Sequence, residues 1–217
     1  MTVIAIDGPA GAGKSTVAKL VAEATGLPYL DTGAMYRCVA LQSVRTGISA
    51  TNEQAVAAIA ESVDITLDGS KCRLNGEDVS LEIRSSDIAA IVSVIAAHSP
   101  VRTAMRSLQQ HWIQQNNGGV VEGRDIGTVV FPNADVKIFL TASPEERASR
   151  RVGQTGGQLS EIAHNIAERD RIDSERQDSP LRPAEDAIVV DSTGRTIEEV
   201  VASIVAHFEK VSGGNRG

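Results

Sequence analysis

Gly8-Pro9-Ala10-Gly11-Ala12-Gly13-Lys14-Ser15 fits G-x-x-x-x-G-K-[ST] at every fixed position. Glycines at this spacing let the backbone wrap a phosphate, so that successive N–H groups and a helix N-terminus face one anion. Lys14 then reaches the β- and γ-oxygens of a triphosphate, and Ser15 offers a hydroxyl to Mg²⁺. The run from Gly8 to Ser15, with Thr16 after it, is expected to hold ATP. A glycine-rich turn matching by chance is the competing explanation. The surroundings argue against it, because an apolar strand at Val3 to Ile6 precedes the loop and a helix with Val17, Leu20, Val21 and Ala24 follows, stopped by Gly26.

Such a loop serves switches, motors and kinases alike. A guanine-reading switch needs Asn-Lys-x-Asp, and no Asn in the chain is followed by Lys. Asp191-Ser192-Thr193-Gly194 fits the loose D-x-x-G pattern but has no partner motif, so it is taken as chance. Thr155-Gly156-Gly157-Gln158 resembles the transporter-ATPase signature, yet a charged helix follows where a hydrophobic strand ending in Asp-Glu would be needed. A small phosphotransferase remains. Of 21 basic residues 16 are Arg, the side chain whose planar fork meets two phosphate oxygens at once. Arg147, Arg150, Arg151, Arg169, Arg171, Arg176 and Arg182 fall within 36 residues around a glycine-rich break at Gly153 to Gly157. Arg147 and Arg182 are read as solvated helix-face residues pairing with nearby Glu and Asp. Arg150 and Arg151, beside the break, are expected to meet the transferring phosphoryl group. His98, His111, His164 and His207 are scattered, and none stands out as a general base. A phosphate acceptor explains this, since a monoester with a second pKa near ~6 is already an anionic nucleophile. The chain is expected to act on a nucleoside monophosphate.

These residues must be held by a fold. The chain has 217 residues, 41% of them hydrophobic, enough for a sizeable core in one domain with an inserted region. Its net charge of −7 and 3% aromatic content argue against a nucleic-acid partner. Cys38 and Cys72 match no zinc spacing and are expected as reduced, half-buried small hydrophobes. No signal peptide or membrane span is legible, so a cytoplasmic protein is expected, and nothing suggests a long apolar self-association face, so a monomer is expected. Short apolar runs at Val3 to Ile6, Leu27 to Leu30, Val120-Val121, Val136 to Leu140 and Ile188 to Val190 read as five strands separated by helices. Thr51-Asn52-Glu53-Gln54, Ser99-Pro100, Ser143-Pro144-Glu145-Glu146 and Thr196-Ile197-Glu198-Glu199 mark helix starts. Between about Asp64 and Ser80 the period changes to two, with turns at Gly69-Ser70 and Asn75-Gly76, which predicts a small antiparallel insertion. The fold class is α/β, a three-layer P-loop type with a five-stranded parallel sheet.

The chain resembles bacterial cytidylate kinases over nearly its whole length. The resemblance is carried by Ile6-Asp7-Gly8-Pro9, Asp31-Thr32-Gly33-Ala34-Met35-Tyr36-Arg37, Gly76-Glu77-Asp78-Val79-Ser80, Glu82-Ile83-Arg84 and Pro100-Val101-Arg102. Val136-Lys137-Ile138-Phe139-Leu140 also matches, and above all the run from Gly123-Arg124-Asp125 to Phe131-Pro132. It implies transfer of the γ-phosphoryl group of ATP to CMP or dCMP with Mg²⁺. By resemblance Ser93, Arg102 and Asp125 would read the cytosine edge, which offers an N4 donor beside N3 and O2 acceptors. Arg37, Arg124 and Arg169 would clamp the acceptor phosphate, and Thr32, Asp173 and Arg176 would hold the sugar and its surroundings. Arg150 and Arg151 look like mobile-lid arginines. Ser15 would ligate Mg²⁺, and Asp31 would help hold its water shell. A monophosphate-binding insertion is expected at about residues 48–98, a short lid at about 147–160 and a loose tail at 212–217. Two features depart from the family pattern: Thr32 stands where many relatives have Ser, and Val152 to Ser160 is shorter than in some. Two other readings stay open: a nucleotide-gated switch or regulatory ATPase, and a kinase of a non-nucleotide metabolite, which leaves the Gly123 to Pro132 run unexplained.

Overall fold

A computed structural model describes residues 1–69 and 71–214. In chain order its strands are β1 (Thr2–Asp7), β2 (Tyr29–Asp31), β3 (Ile65–Asp68), β4 (Lys71–Leu74), β5 (Glu77–Asp78), β6 (Gly118–Gly123), β7 (Val136–Thr141) and β8 (Ile188–Asp191). The helices are α1 (Lys14–Thr25), α2 (Thr32–Arg45), α3 (Glu53–Ser62), α4 (Ser86–Ala97), α5 (Ser99–Gln115), α6 (Pro144–Thr155), α7 (Leu159–Glu175) and α8 (Ile197–Gly214). Five strands form the expected parallel sheet, in the order β2-β6-β1-β7-β8. The unbroken apolar run of β1 follows from cover on both faces. Val3 and Ala5 belong to the core shared with α2, α4 and α5, whereas Ile4 and Ile6 belong to the core shared with α1 and α8. Asp7, Gly123, Thr141 and Asp31 therefore finish at one end of the sheet, the end where α/β proteins bind ligands.

The second sheet is the expected insertion, antiparallel in the order β3-β4-β5. Asn75 at φ 51° and Gly76 at φ 84° turn the chain between β4 and β5 in the left-handed pair a two-residue hairpin requires. Cys72 and Leu74 carry the sheet into the main core, where Cys72 meets Cys38 of α2. Here the structure corrects the sequence reading: Cys38 and Cys72 are fully buried, not half-buried, and their Sγ atoms stand 3.2 Å apart.

Other differences are local. The sheet-facing side of α1 is Val17, Ala18, Val21 and Ala22, while Ala24 is exposed. Asn52 caps α3, its side chain accepting from the Ala55 N–H. Helix α6 continues through Gly153, so the break narrows to Gly156 and Gly157, both at positive φ. Helix α8 runs to Gly214, so residues 212–214 are helical and not a loose tail; the Ser212 hydroxyl donates to the Phe208 carbonyl at 2.9 Å. Residues 215–217 of that expected tail, and Ser70 of the expected Gly69-Ser70 turn, lie outside the described residues. Among the described residues no single helix is long and apolar enough to cross a membrane.

Candidate active site

The loop of residues 8–13 joins β1 to α1. A Cβ on Gly8 would lie 2.0 Å from the Leu140 carbonyl oxygen, and Gly11 and Gly13 take φ of 76° and 88°. No side chain caps α1 and no acidic residue stands in its first turn, so its N-terminal N–H groups and positive dipole end are left facing the loop. The Lys14 Nζ donates to the Pro9 carbonyl at 2.8 Å, folded back over the loop. Burial, and next the Arg124 guanidinium, push the Lys14 pKa down to about 7 against the pull of Glu122.

Glu122, at the end of β6, is a site residue the sequence reading missed. Its Oε2 accepts from the Ser15 hydroxyl at 3.0 Å, and its Oε1 accepts from the Tyr29 hydroxyl. Burial, and next Asp31, raise its pKa to about 7. A carboxylate directly before Gly123-Arg124 at the end of an apolar strand was the available signal. Asp7, ending β1, accepts from the Ile126 and Gly127 N–H groups at 2.8 and 2.7 Å, which fixes the loop after β6 against β1. Burial raises Asp7 to about 6, although those two bonds oppose it.

From the loop a row of half-buried arginines leads away, ending in the fully buried Arg102. Arg124 donates to Asp173 at 2.8 Å, and Arg176 lies 3.7 Å from the same carboxylate. The Arg169 Nε is buried with no hydrogen-bond partner among the described residues, and burial, with Arg124 next, pushes its pKa down to about 9. Arg37 donates to the Ile83 carbonyl at 3.2 Å; burial lowers its pKa, and Arg151, Arg84 and Arg124 add to that. At the far end Arg102, 1% exposed, donates to Asp125 at 2.5 Å and to the Ala96 carbonyl at 3.1 Å. Arg176 reaches the other Asp125 oxygen at 3.4 Å. Ser93 is buried on α4 and makes no side-chain hydrogen bond among the described residues. The Thr32 hydroxyl donates to the Glu122 carbonyl at 2.6 Å. Asp31 caps α2 through the Ala34 N–H at 3.0 Å and stands 3.7 Å from Arg84.

The arginines near the glycine break divide differently from the sequence reading. Arg147 is no solvated face residue. It donates to the Ala10 carbonyl at 3.0 Å and pairs with Asp170, which accepts from the Ala10 N–H at 2.8 Å, so α6 and α7 are fastened to the phosphate loop. Arg150 is also tied down, to the Ser192 hydroxyl at 2.9 Å, the Ser192 carbonyl at 2.8 Å and Glu146 at 3.1 Å. The Arg151 guanidinium makes no hydrogen bond or ion pair among the described residues. Arg171 pairs with Glu168 and Glu175 on its own exposed helix face. None of the four histidines joins the row; His98 bonds the Ala50 carbonyl and His111 bonds Gln115.

This arrangement has the chemistry of two anion sites joined by guanidiniums. One is a triphosphate cradle at the sheet end, and the other ends in a buried carboxylate–guanidinium pair suited to a heterocyclic edge. Residues 4–210 match the family model described as cytidylate kinase. The chain is 44% identical to a cytidylate kinase of Geobacter sp. (strain M21), over 99% of this chain and 96% of that one. It is 48% identical to a cytidylate kinase of Desulfitobacterium hafniense (strain Y51), over 97% and 94%. A gluconokinase from Sinorhizobium meliloti 1021 shares the fold alone, with a TM-score of 0.54 at 15% identity over 98% of this chain and 94% of that one.

Proposed function

From the premise that the chain belongs to the cytidylate kinase family, we propose that it transfers the γ-phosphoryl group of ATP to CMP or dCMP along this row of arginines. The observation that carries the reading is Arg169. The Arg169 Nε is buried without a partner among the described residues and Arg124 crowds the guanidinium, so a bound anion would complete it. The acceptor phosphate supplies that anion between Arg37, Arg124 and Arg169. Being ionised already, it attacks the γ-phosphorus without a general base, so catalysis reduces to positioning and charge neutralisation. The phosphate loop from Gly8 to Thr16 grips the donor, with Lys14 on the transferring group. Arg151, without a partner among the described residues, reaches that group, while Arg150 braces the loop against Ser192. Arg102, Asp125 and Ser93 read the base, and Thr32, Asp173 and Arg176 hold the sugar.

Ser15 and Glu122 fit a hard divalent ion, since they place a hydroxyl and a carboxylate 3.0 Å apart beside the loop. Mg²⁺ bound there would neutralise charge across the β- and γ-phosphates. Asp31, already capping α2, is assigned an outer role through water. The region at about 48–98 serves as the monophosphate-binding part and the α6–α7 turn as the lid, in a cytoplasmic monomer that needs no nucleic acid.

An ADP-release assay across a panel of monophosphates tests the reading. Turnover is expected with CMP and dCMP, weaker with UMP and negligible with AMP or small metabolites; ADP release independent of any monophosphate would overturn it. The Lys14 pKa gives a second prediction. A triphosphate against Nζ favours the ammonium, so binding ATP without Mg²⁺ at about pH 8 takes up close to one proton. Calorimetry in buffers of different ionisation enthalpy reads that proton, which should vanish in Lys14→Ala. Equal uptake in the variant would mean another group titrates.

A further inference from the structure

We propose that Asp178 is a positioning residue that sets base specificity, by holding the outer edge of the Arg102 guanidinium. The proposal rests on the assignment of Arg102 and Asp125 to the base pocket. Arg102 has two of its nitrogens engaged, by Asp125 and Ala96, but its Nε is buried without an acceptor among the described residues. Asp178 Oδ1 stands 3.7 Å from that Nε. Asp178 is itself held by the Ser99 hydroxyl at 2.9 Å, the Ser179 hydroxyl at 2.5 Å and Arg106 at 3.4 Å. Ser99, Arg102 and Arg106 recur along α5 at spacings of three and four, so they share one helix face, and the carboxylate docks on it.

The segment that brings Asp178 there is closed on itself. Arg176 Nε donates to the Ser179 carbonyl at 2.7 Å, the Leu181 N–H donates to the Asp173 carbonyl at 2.8 Å, and Ser179 takes a left-handed φ of 55°. Residues 173–181 thus form a clip on the end of α7 that touches Asp125 through Arg176 and faces Arg102 through Asp178. Four guanidiniums (Arg102, Arg106, Arg124 and Arg176) meet three carboxylates (Asp125, Asp173 and Asp178) in this cluster. Neutralising Asp178 leaves the Arg102 guanidinium held on one side only, with no carboxylate facing its Nε edge. That favours a base carbonyl over an amino group, and uracil presents a carbonyl where cytosine presents N4.

Asp178→Asn keeps the shape and removes the charge. The expected result is a KM for CMP raised about two- to fivefold, as for a partly exposed ion pair acting through one partner. The CMP:UMP ratio of kcat/KM should fall while the KM for ATP stays near that of the parent. Ser99→Ala, which removes one anchor of the carboxylate, should shift the ratio the same way by less. In Arg102→Lys, which lacks the planar fork, adding Asp178→Asn should lower the ratio no further. Equal losses for CMP and UMP in Asp178→Asn, or additive losses in the double variant, would overturn the proposal. If Arg102→Lys alone leaves the CMP:UMP ratio unchanged, the base-pocket assignment fails and the proposal falls with it. Because the ratio cancels the concentration of folded enzyme, a partly unfolded variant still gives a decisive answer.

Discussion

Lys14→Ala is expected to lower kcat about a hundred- to a thousandfold, a loss of roughly 3–4 kcal/mol of transition-state stabilisation for one preorganised charge. The fold should survive. Lys14 titrates at about 7 in the folded chain against 10.5 as its ordinary value, so its buried ammonium opposes folding fully below about pH 7, and that opposition fades as pH rises towards 10.5. Removing it relieves that opposition, which offsets the lost bond to the Pro9 carbonyl and the lost packing of the side-chain stem. A coupled assay at saturating ATP and CMP reads kcat, and a thermal melt reads stability. A variant that turns over near the parent rate would remove Lys14 from the transferring phosphoryl group; one that melts far lower would make the kinetic loss structural.

Asp125→Asn should lower kcat/KM for CMP about ten- to a hundredfold, because a charge-assisted hydrogen bond of roughly 1.5–3 kcal/mol becomes a weaker neutral one. The CMP:UMP ratio should fall further than the overall activity. A carboxylate repels the uracil carbonyl, whereas the Asn amide can donate to it. Asp125 is also an ion-pair partner of Arg102 and Arg176, both buried, so some loss of stability is expected alongside. Specificity and stability therefore have to be read separately, and the substrate ratio does this. Equal losses for both monophosphates would make Asp125 structural and withdraw it from base reading.

Much of the fold was legible because its signals are local. A strand, a glycine loop and a helix stand consecutively from Val3 to Thr25, and Asn75-Gly76 announces its own turn through the left-handed backbone it needs. Ser143, followed by Pro144 and Glu146, caps α6 as expected, its hydroxyl accepting from the Glu146 N–H. Local signals also misled. Gly153 reads as a breaker, but a single glycine inside a helix costs only about 1 kcal/mol relative to alanine. The following Gly156-Gly157 pair at positive φ ends the helix instead.

The amino-acid sequence by itself determined the element types, the phosphate loop and the presence of an arginine-rich segment, because each is encoded within a few residues by periodicity, glycine and charge. Only the tertiary structure decided which arginine does what. Arg147 and Arg171 carry the same side chain, and each stands beside acidic residues in the sequence. Arg171 faces outward and pairs within its own helix, whereas Arg147 meets Ala10, 137 residues away, because α6 packs against the phosphate loop. Ser15 and Glu122 are separated by 107 residues, and the parallel pairing of β1 with β6 makes them neighbours. A side chain's type fixes what bonds it can form, but strand order and helix packing fix which partner lies within 3 Å, and those are set by burial across the whole chain.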